Sequence, residues 1–120
     1  MTKLIMAYDT ETTGLWDFKG DIFGSNQPNL VQLGYKVWDS KKNVIFEAGH
    51  LVDTTQHSSW NGIEEGAYNA HHITEENVRL YGMRPQTAMM QWQEWCERCS
   101  LFIAHNDAFD TKVMQCFAKR

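Results

Sequence analysis

Apolar and polar residues alternate through the first half of the chain and fall into helical stripes through much of the second. Lys3 to Glu11 opens with the apolar run Leu4-Ile5-Met6-Ala7 and reads as a first strand, apolar at its start and acidic at its end. A polar loop follows from Trp16 to Asn29, broken by Gly20, Gly24 and Pro28. Leu30 to Trp38 alternates, with Val31, Leu33, Tyr35 and Val37 on one face. Asp39 to Asn43 is a turn, and Val44 to Val52 alternates again. These two strands predict an antiparallel hairpin lying beside the first strand.

Asp53 to His72 carries no clear period and reads as irregular. Thr74-Glu75-Glu76-Asn77 has the look of a capped helix start, and Pro85 opens a helix that runs to about Cys99. Leu101-Phe102-Ile103-Ala104 is short and wholly apolar, which predicts a buried parallel strand. Asp107 to Ala118 reads as a final helix with Phe109, Val113 and Phe117 on one face. The order predicts an α/β domain: three antiparallel strands, then a parallel strand, with helices packed on the mixed sheet.

The chain has 120 residues, 42% hydrophobic and 22% charged, which suits one globular domain. It has no apolar run of membrane-spanning length, and Asp9 and Glu11 interrupt the only early apolar stretch, so a cytoplasmic protein without membrane contact is expected. The formal net charge of −4 argues against a protein that wraps duplex nucleic acid broadly. Cys96 and Cys99 form a C-x-x-C, but both continue the apolar stripe Ala88, Met89, Trp92, Trp95. With no second such pair, core packing accounts for them better than zinc or redox chemistry.

Asp9 and Glu11 lie two residues apart at the end of the first strand, so both side chains point the same way. Like charges that close need a proton, a basic partner or a metal, and no Lys or Arg occurs between Lys3 and Lys19. A second group, His105-Asn106-Asp107-Ala108-Phe109-Asp110, follows the predicted parallel strand. Open α/β sheets place ligands at the carboxyl ends of their strands. Parallel pairing would therefore bring Asp110 toward Asp9 and Glu11, giving three carboxylates suited to Mg²⁺ or Mn²⁺. Such ions can activate a water and stabilise the leaving oxygen of a phosphodiester.

Asp9-Thr10-Glu11-Thr12-Thr13-Gly14 and His105 to Asp110 resemble the D-x-E-T-T-G and H-N-x-x-F-D motifs of the DEDD superfamily of 3′–5′ exonucleases. The closer likeness is to the proofreading branch typified by the epsilon subunit of bacterial DNA polymerase III. Ala70-His71-His72-Ile73-Thr74 resembles that family's H-G-I-T segment, with His72 in place of the glycine. The resemblance implies a ribonuclease H-like fold and removal of nucleoside monophosphates from the single-stranded 3′ end of DNA or RNA. It implies two Mg²⁺ or Mn²⁺ ions on Asp9, Glu11 and Asp110 as catalytic metal ligands. It places Thr12, Thr13, Gly14 and Leu15 against the terminal nucleotide, with His71 and Asn106 also near substrate.

The family's third motif, H-x-x-x-x-D or Y-x-x-x-D, supplies a general base and a fourth carboxylate. Residues Thr111 to Arg120 contain no Asp, Glu, His or Tyr. The expectation is thus an exonuclease-like domain over residues 1–120, incomplete and truncated at its C-terminus. Its second metal would be weak, and its activity alone weak or absent, since a general base contributes about 10²–10⁴-fold. A homodimer mate or second chain is expected to cover the missing side. The alternative is a non-catalytic remnant of the fold that binds protein or nucleic acid, for example a phage-encoded inhibitor.

Overall fold

The computed structural model describes residues 3–120. Four strands form one sheet in the order β3-β2-β1-β4, comprising β1 (Leu4–Thr12), β2 (Leu30–Asp39), β3 (Val44–Leu51) and β4 (Leu101–Ala104). β1 pairs antiparallel with β2, β2 antiparallel with β3, and β1 parallel with β4. The helices are α1 (Glu65–His71), α2 (Glu75–Tyr81), α3 (Pro85–Arg98) and α4 (Asp107–Lys119). This is the expected ribonuclease H-like mixed sheet.

Alternation along β1 decides what the sheet offers to each side. Met6, Tyr8, Thr10 and Thr12 are buried, while Asp9 is exposed and Glu11 half-buried. The buried side carries the main core, where Met6, Tyr8, Leu33, Tyr35 and Val37 meet Ala88 and Trp92 of α3 and Val113, Met114 and Phe117 of α4. Trp92 packs edge-on against Tyr8 at 5.0 Å and Tyr35 at 5.2 Å between ring centroids. Trp95 stacks on Phe46 at 4.8 Å. The predicted stripe of α3 thus faces the sheet, and Cys96 and Cys99 join its packing as free thiols.

Three expectations need correction. β4 is parallel but not buried: it is the edge strand, and Leu101, Phe102 and Ile103 are 51%, 43% and 49% exposed. Val31 does not share the core of Leu33, Tyr35 and Val37. The register slips between Glu11 and Thr12, so Leu30 enters the main core while Val31 packs with Ile73 and Val78 in a separate cluster. Finally, α1 lies inside the stretch expected to be irregular. It buries none of its residues, so it leaves no apolar period to read.

α1 ends at His72, which is left-handed at φ 58° and ψ 22° and whose N–H donates to the Tyr68 carbonyl. That is the conformation glycine adopts at no steric cost, so the histidine strains the helix end. α2 starts as predicted, with the Thr74 side chain accepting from the Asn77 N–H at 3.1 Å. No helix among the described residues is long and apolar enough to cross a membrane.

Candidate active site

The register fixes where the acidic residues meet. β4 pairs with β1 only as far as Tyr8↔Ala104, and the His105 N–H then donates to the Tyr8 carbonyl at 3.1 Å. The chain therefore leaves the sheet at the level of Asp9 and turns at once into α4. Asp110 lies in the first turn of that helix and is only 1% exposed.

Asp110 is held by three donors. Its Oδ1 accepts from the Thr10 backbone N–H at 3.1 Å and the Thr10 hydroxyl at 2.5 Å, and its Oδ2 accepts from the Asn106 N–H at 2.8 Å. Thr10 is the residue between Asp9 and Glu11. The acidic pair on one side of β1 and Asp110 on the other are thus joined through the middle residue of D-x-E. Beside Asp110, the Thr111 hydroxyl and the Tyr8 phenol are 3.0 Å apart.

Electrostatics mark Asp9 and Glu11 as uncompensated. Partial desolvation, then the charge of Asp110, raises the Asp9 pKa from its ordinary value, and His105 opposes the rise. Burial, then the charge of Asp9, raises Glu11, with His71 opposing. Among the described residues the one ion pair is Arg79–Glu75 within α2, so neither carboxylate has a salt-bridge partner.

These donors suit a hard divalent cation in kind, being acceptor-only oxygens that repel one another and lack a local base. Their placement is looser: among the described residues no three His, Cys, Asp or Glu side chains are gathered closely enough to hold an ion. The Asp110 oxygens are turned toward Thr10 and Asn106.

Next to the acids, a cleft of about 310 Å³ is lined by Glu11, Thr12, Gly14, Leu15, His71 and Phe109, among others. Leu15 is 87% exposed, so turn packing does not explain it. The turn itself is fixed at three points. Thr13 N–H donates to the Asn29 carbonyl at 3.0 Å, Asn29 N–H donates to the Thr13 hydroxyl at 2.9 Å, and Glu64 N–H donates to the Thr13 carbonyl at 2.8 Å. The Glu64 carboxylate lies directly over Gly14, where a Cβ would make it shift.

His71 is not a free ring. Ile73 N–H donates to its Nδ1 at 2.9 Å, which places the ring proton on Nε2, and Nε2–H donates to the Thr12 carbonyl at 2.9 Å. His71 therefore braces the turn from the α1 side. Asn106 contributes its backbone N–H to Asp110, and its side chain is exposed.

Sequence reasoning missed three residues of this region. His105, beside Asp9, and Phe109, in the cleft, both lie within the H-N-x-x-F-D stretch and were legible there. Glu64 carries no signal in the sequence; only the fold brings it over Gly14.

The family model RNase_T, described as Exonuclease, matches residues 6–118. No curated protein sequence matches the chain. Solved structures similar to it include exonuclease I in complex with the inhibitor BCBP, at TM-score 0.79 and 16% identity, covering 99% of this chain and 24% of that one. A product-bound structure of exonuclease I gives TM-score 0.79 and 16% identity over 99% of this chain and 26% of that one. E. coli exonuclease I in complex with a dA16 oligonucleotide gives 0.77 and 17% over 98% and 24%. At such identities the likeness speaks to the fold, and the chain spans about a quarter of the length of those enzymes.

Proposed function

Because the chain belongs to the RNase_T exonuclease family, we propose that it carries the catalytic front of a metal-dependent 3′–5′ exonuclease acting on single-stranded DNA or RNA ends. The observation that supports this most is the pairing of Asp9 and Glu11, their acidity weakened by burial and by neighbouring carboxylates, with Asp110 bonded to the residue between them. The exonuclease I chains it resembles include one in complex with a dA16 oligonucleotide. The product would be a nucleoside monophosphate.

In this reading Asp9, Glu11 and Asp110 would hold two Mg²⁺ or Mn²⁺ ions, the second weakly. When bound, such ions lower the pKa of a water and neutralise charge on the leaving oxygen. The chain's own residues do the rest. In the metal-free chain Thr10 holds one oxygen of Asp110 and the Asn106 amide the other, bonds that a cation on Asp110 would have to replace. Thr12, Thr13 and Gly14 form the turn against which the terminal nucleotide rests, Leu15 presents its apolar side chain to that nucleotide, and His71 holds the Thr12 carbonyl in place. Neither ring nitrogen of His71 is free to take a proton from water, so it does not replace the general base of the third motif. Slow hydrolysis by these 120 residues alone follows. A homodimer mate or second chain would pair along the exposed edge of β4, and a monomer at all concentrations by light scattering would remove that part of the proposal.

The test is calorimetric titration of Mn²⁺ into the wild type and Asp9→Ala, with a 5′-labelled single strand incubated in parallel. Metal binding lost in Asp9→Ala, with shortening from the 3′ end, is the expected result. Metal binding without shortening would leave a metal site that is not yet an enzyme. No metal binding would overturn the catalytic reading in favour of a binding fold.

A further inference from the structure

Arg120 is the most heavily bonded side chain outside the acidic site. Its Nη1 donates to the Pro28 carbonyl at 3.0 Å and to Asn29 Oδ1 at 2.6 Å. Its Nη2 donates to the Gly24 carbonyl at 3.0 Å and the Gln27 carbonyl at 2.9 Å. Among the described residues no carboxylate lies within ion-pair distance of it. A half-buried guanidinium given only neutral oxygens does little to balance charge. Its planar fork instead fixes several carbonyls relative to one another, which a lysine ammonium cannot do.

What it fixes leads to the cleft. Asn29 Oδ1 takes the Arg120 bond and a second from the Ser59 hydroxyl at 3.1 Å. The Asn29 backbone makes both bonds to Thr13, through its carbonyl at 3.0 Å and its N–H at 2.9 Å. The Thr13 carbonyl then takes the Glu64 N–H. One continuous series of hydrogen bonds thus runs from the end of α4, through the loop before β2, to the turn beside Glu11.

We infer that Arg120 is a positioning residue for the nucleotide-contacting turn Thr12 to Leu15, acting through Asn29 and Thr13. The inference rests on the function proposed above only in that this turn meets the nucleotide; the clamp itself has its own readout. Asp9 and Glu11 lie within β1 before the turn and are not in the series, so the clamp governs nucleotide binding and not metal binding.

The experiment compares the wild type with Arg120→Lys, which keeps the charge and the aliphatic stem, and Arg120→Met. Amide hydrogen exchange at Thr13 reports the Asn29 bond directly. Calorimetry with Mn²⁺ alone, and with thymidine 5′-monophosphate in saturating Mn²⁺, reports the two ligands. Expected for Arg120→Lys are Thr13 exchange faster by about tenfold or more and nucleotide affinity weaker by about tenfold, with Mn²⁺ affinity within about twofold of wild type. Unchanged Thr13 exchange would overturn the clamp. Faster exchange with unchanged nucleotide affinity would reduce Arg120 to a stabilising residue and overturn the positioning role. A wild type that binds no nucleotide would refute the function proposed above, and exchange at Thr13 would still decide the clamp. If Arg120→Met loses its near-ultraviolet circular dichroism, the lysine variant alone carries the comparison.

Discussion

Asp110→Ala should unfold this protein more readily than any change at Asp9 or Glu11, although all three are proposed to do the same chemistry. Asp110 is 1% exposed and accepts three hydrogen bonds, two of them from backbone amides. Truncation leaves the buried Thr10 N–H without a partner, at about 1–3 kcal/mol for such a group. The Asn106 N–H sits nearer the surface and can recruit water, and the Thr10 hydroxyl can rotate, so these add less. A loss of about 2–4 kcal/mol follows, a large share of the roughly 5–15 kcal/mol that holds a domain of this kind together. Asp110→Asn should lose less, since its carbonyl oxygen can keep one side of the network while its amide nitrogen meets a donor on the other. The assay is urea unfolding in EDTA, read from tryptophan fluorescence, for wild type, both Asp110 variants and Asp9→Ala. The expected order of midpoints places Asp110→Ala lowest, then Asp110→Asn, with Asp9→Ala at or above wild type. An Asp110→Ala midpoint equal to wild type would refute the claim that these bonds hold α4 to β1. The result also bears on activity measurements, because a dead Asp110→Ala is informative only in proportion to the fraction that is folded.

Other outcomes follow from the same geometry. Asp9 and Glu11 have pKa values raised by folding, so the folded state binds protons more readily than the unfolded one between the ordinary carboxylate pKa and the raised value; metal-free stability should fall as pH rises through that window, and Mn²⁺ should abolish the fall. For the same reason Asp9→Asn should stabilise the metal-free protein, by less than about 1 kcal/mol given its exposure, while abolishing Mn²⁺ binding; a destabilised variant would contradict this. His72→Gly should add about 1 kcal/mol by relieving the left-handed strain at φ 58°, whereas His72→Ala should not, and urea midpoints distinguish them. Burial pushes the Cys96 thiol up to about 11, so alkylation at pH 8 should be slow until denaturant is added; rapid labelling would mean α3 does not pack as described.

The parts of the fold that were legible in the sequence are those that bury a periodic face. β1, β2 and α3 expose one side and bury the other, and their boundaries fall within a residue of expectation. α1 buries nothing and was invisible for that reason. β4 misled in the opposite sense: a four-residue apolar run reads as buried, but strand order, which local sequence does not encode, puts it at the sheet edge. Val31 shows the limit of alternation, since one register slip at Glu11/Thr12 sends it to another cluster. In the site, the spacing of Asp9 and Glu11 and the turn from β4 into α4 lead to the strand end where Asp110 meets Thr10, across β1 from the acidic pair. What spacing could not give was the direction in which Asp110 points, or that His71 spends both ring nitrogens on the backbone.

The residue between the two acids deserves the same weight as the acids. Alternation makes Asp9 and Glu11 share the open side of β1 and forces Thr10 to the helix side. There its amide and hydroxyl take Asp110, and Tyr8, two residues earlier on that side, meets Thr111. A strand can deliver two carboxylates to one face only by offering the intervening residue to the other, and this chain uses that residue to anchor the third. The consequence is that repulsion and cohesion are separated across one strand. The acids that repel lie where solvent, or an ion, can relieve them, and the acid that is buried is the one given donors. Moving Asp110 toward the open side would require giving up those donors, so a bound cation must supply at least as much as Thr10 and Asn106 now do. Metal affinity should therefore rise when Thr10→Val removes the hydroxyl bond, even as metal-free stability falls; a variant that loses both stability and Mn²⁺ affinity would mean that the Thr10–Asp110 bond builds the metal site instead of competing with it.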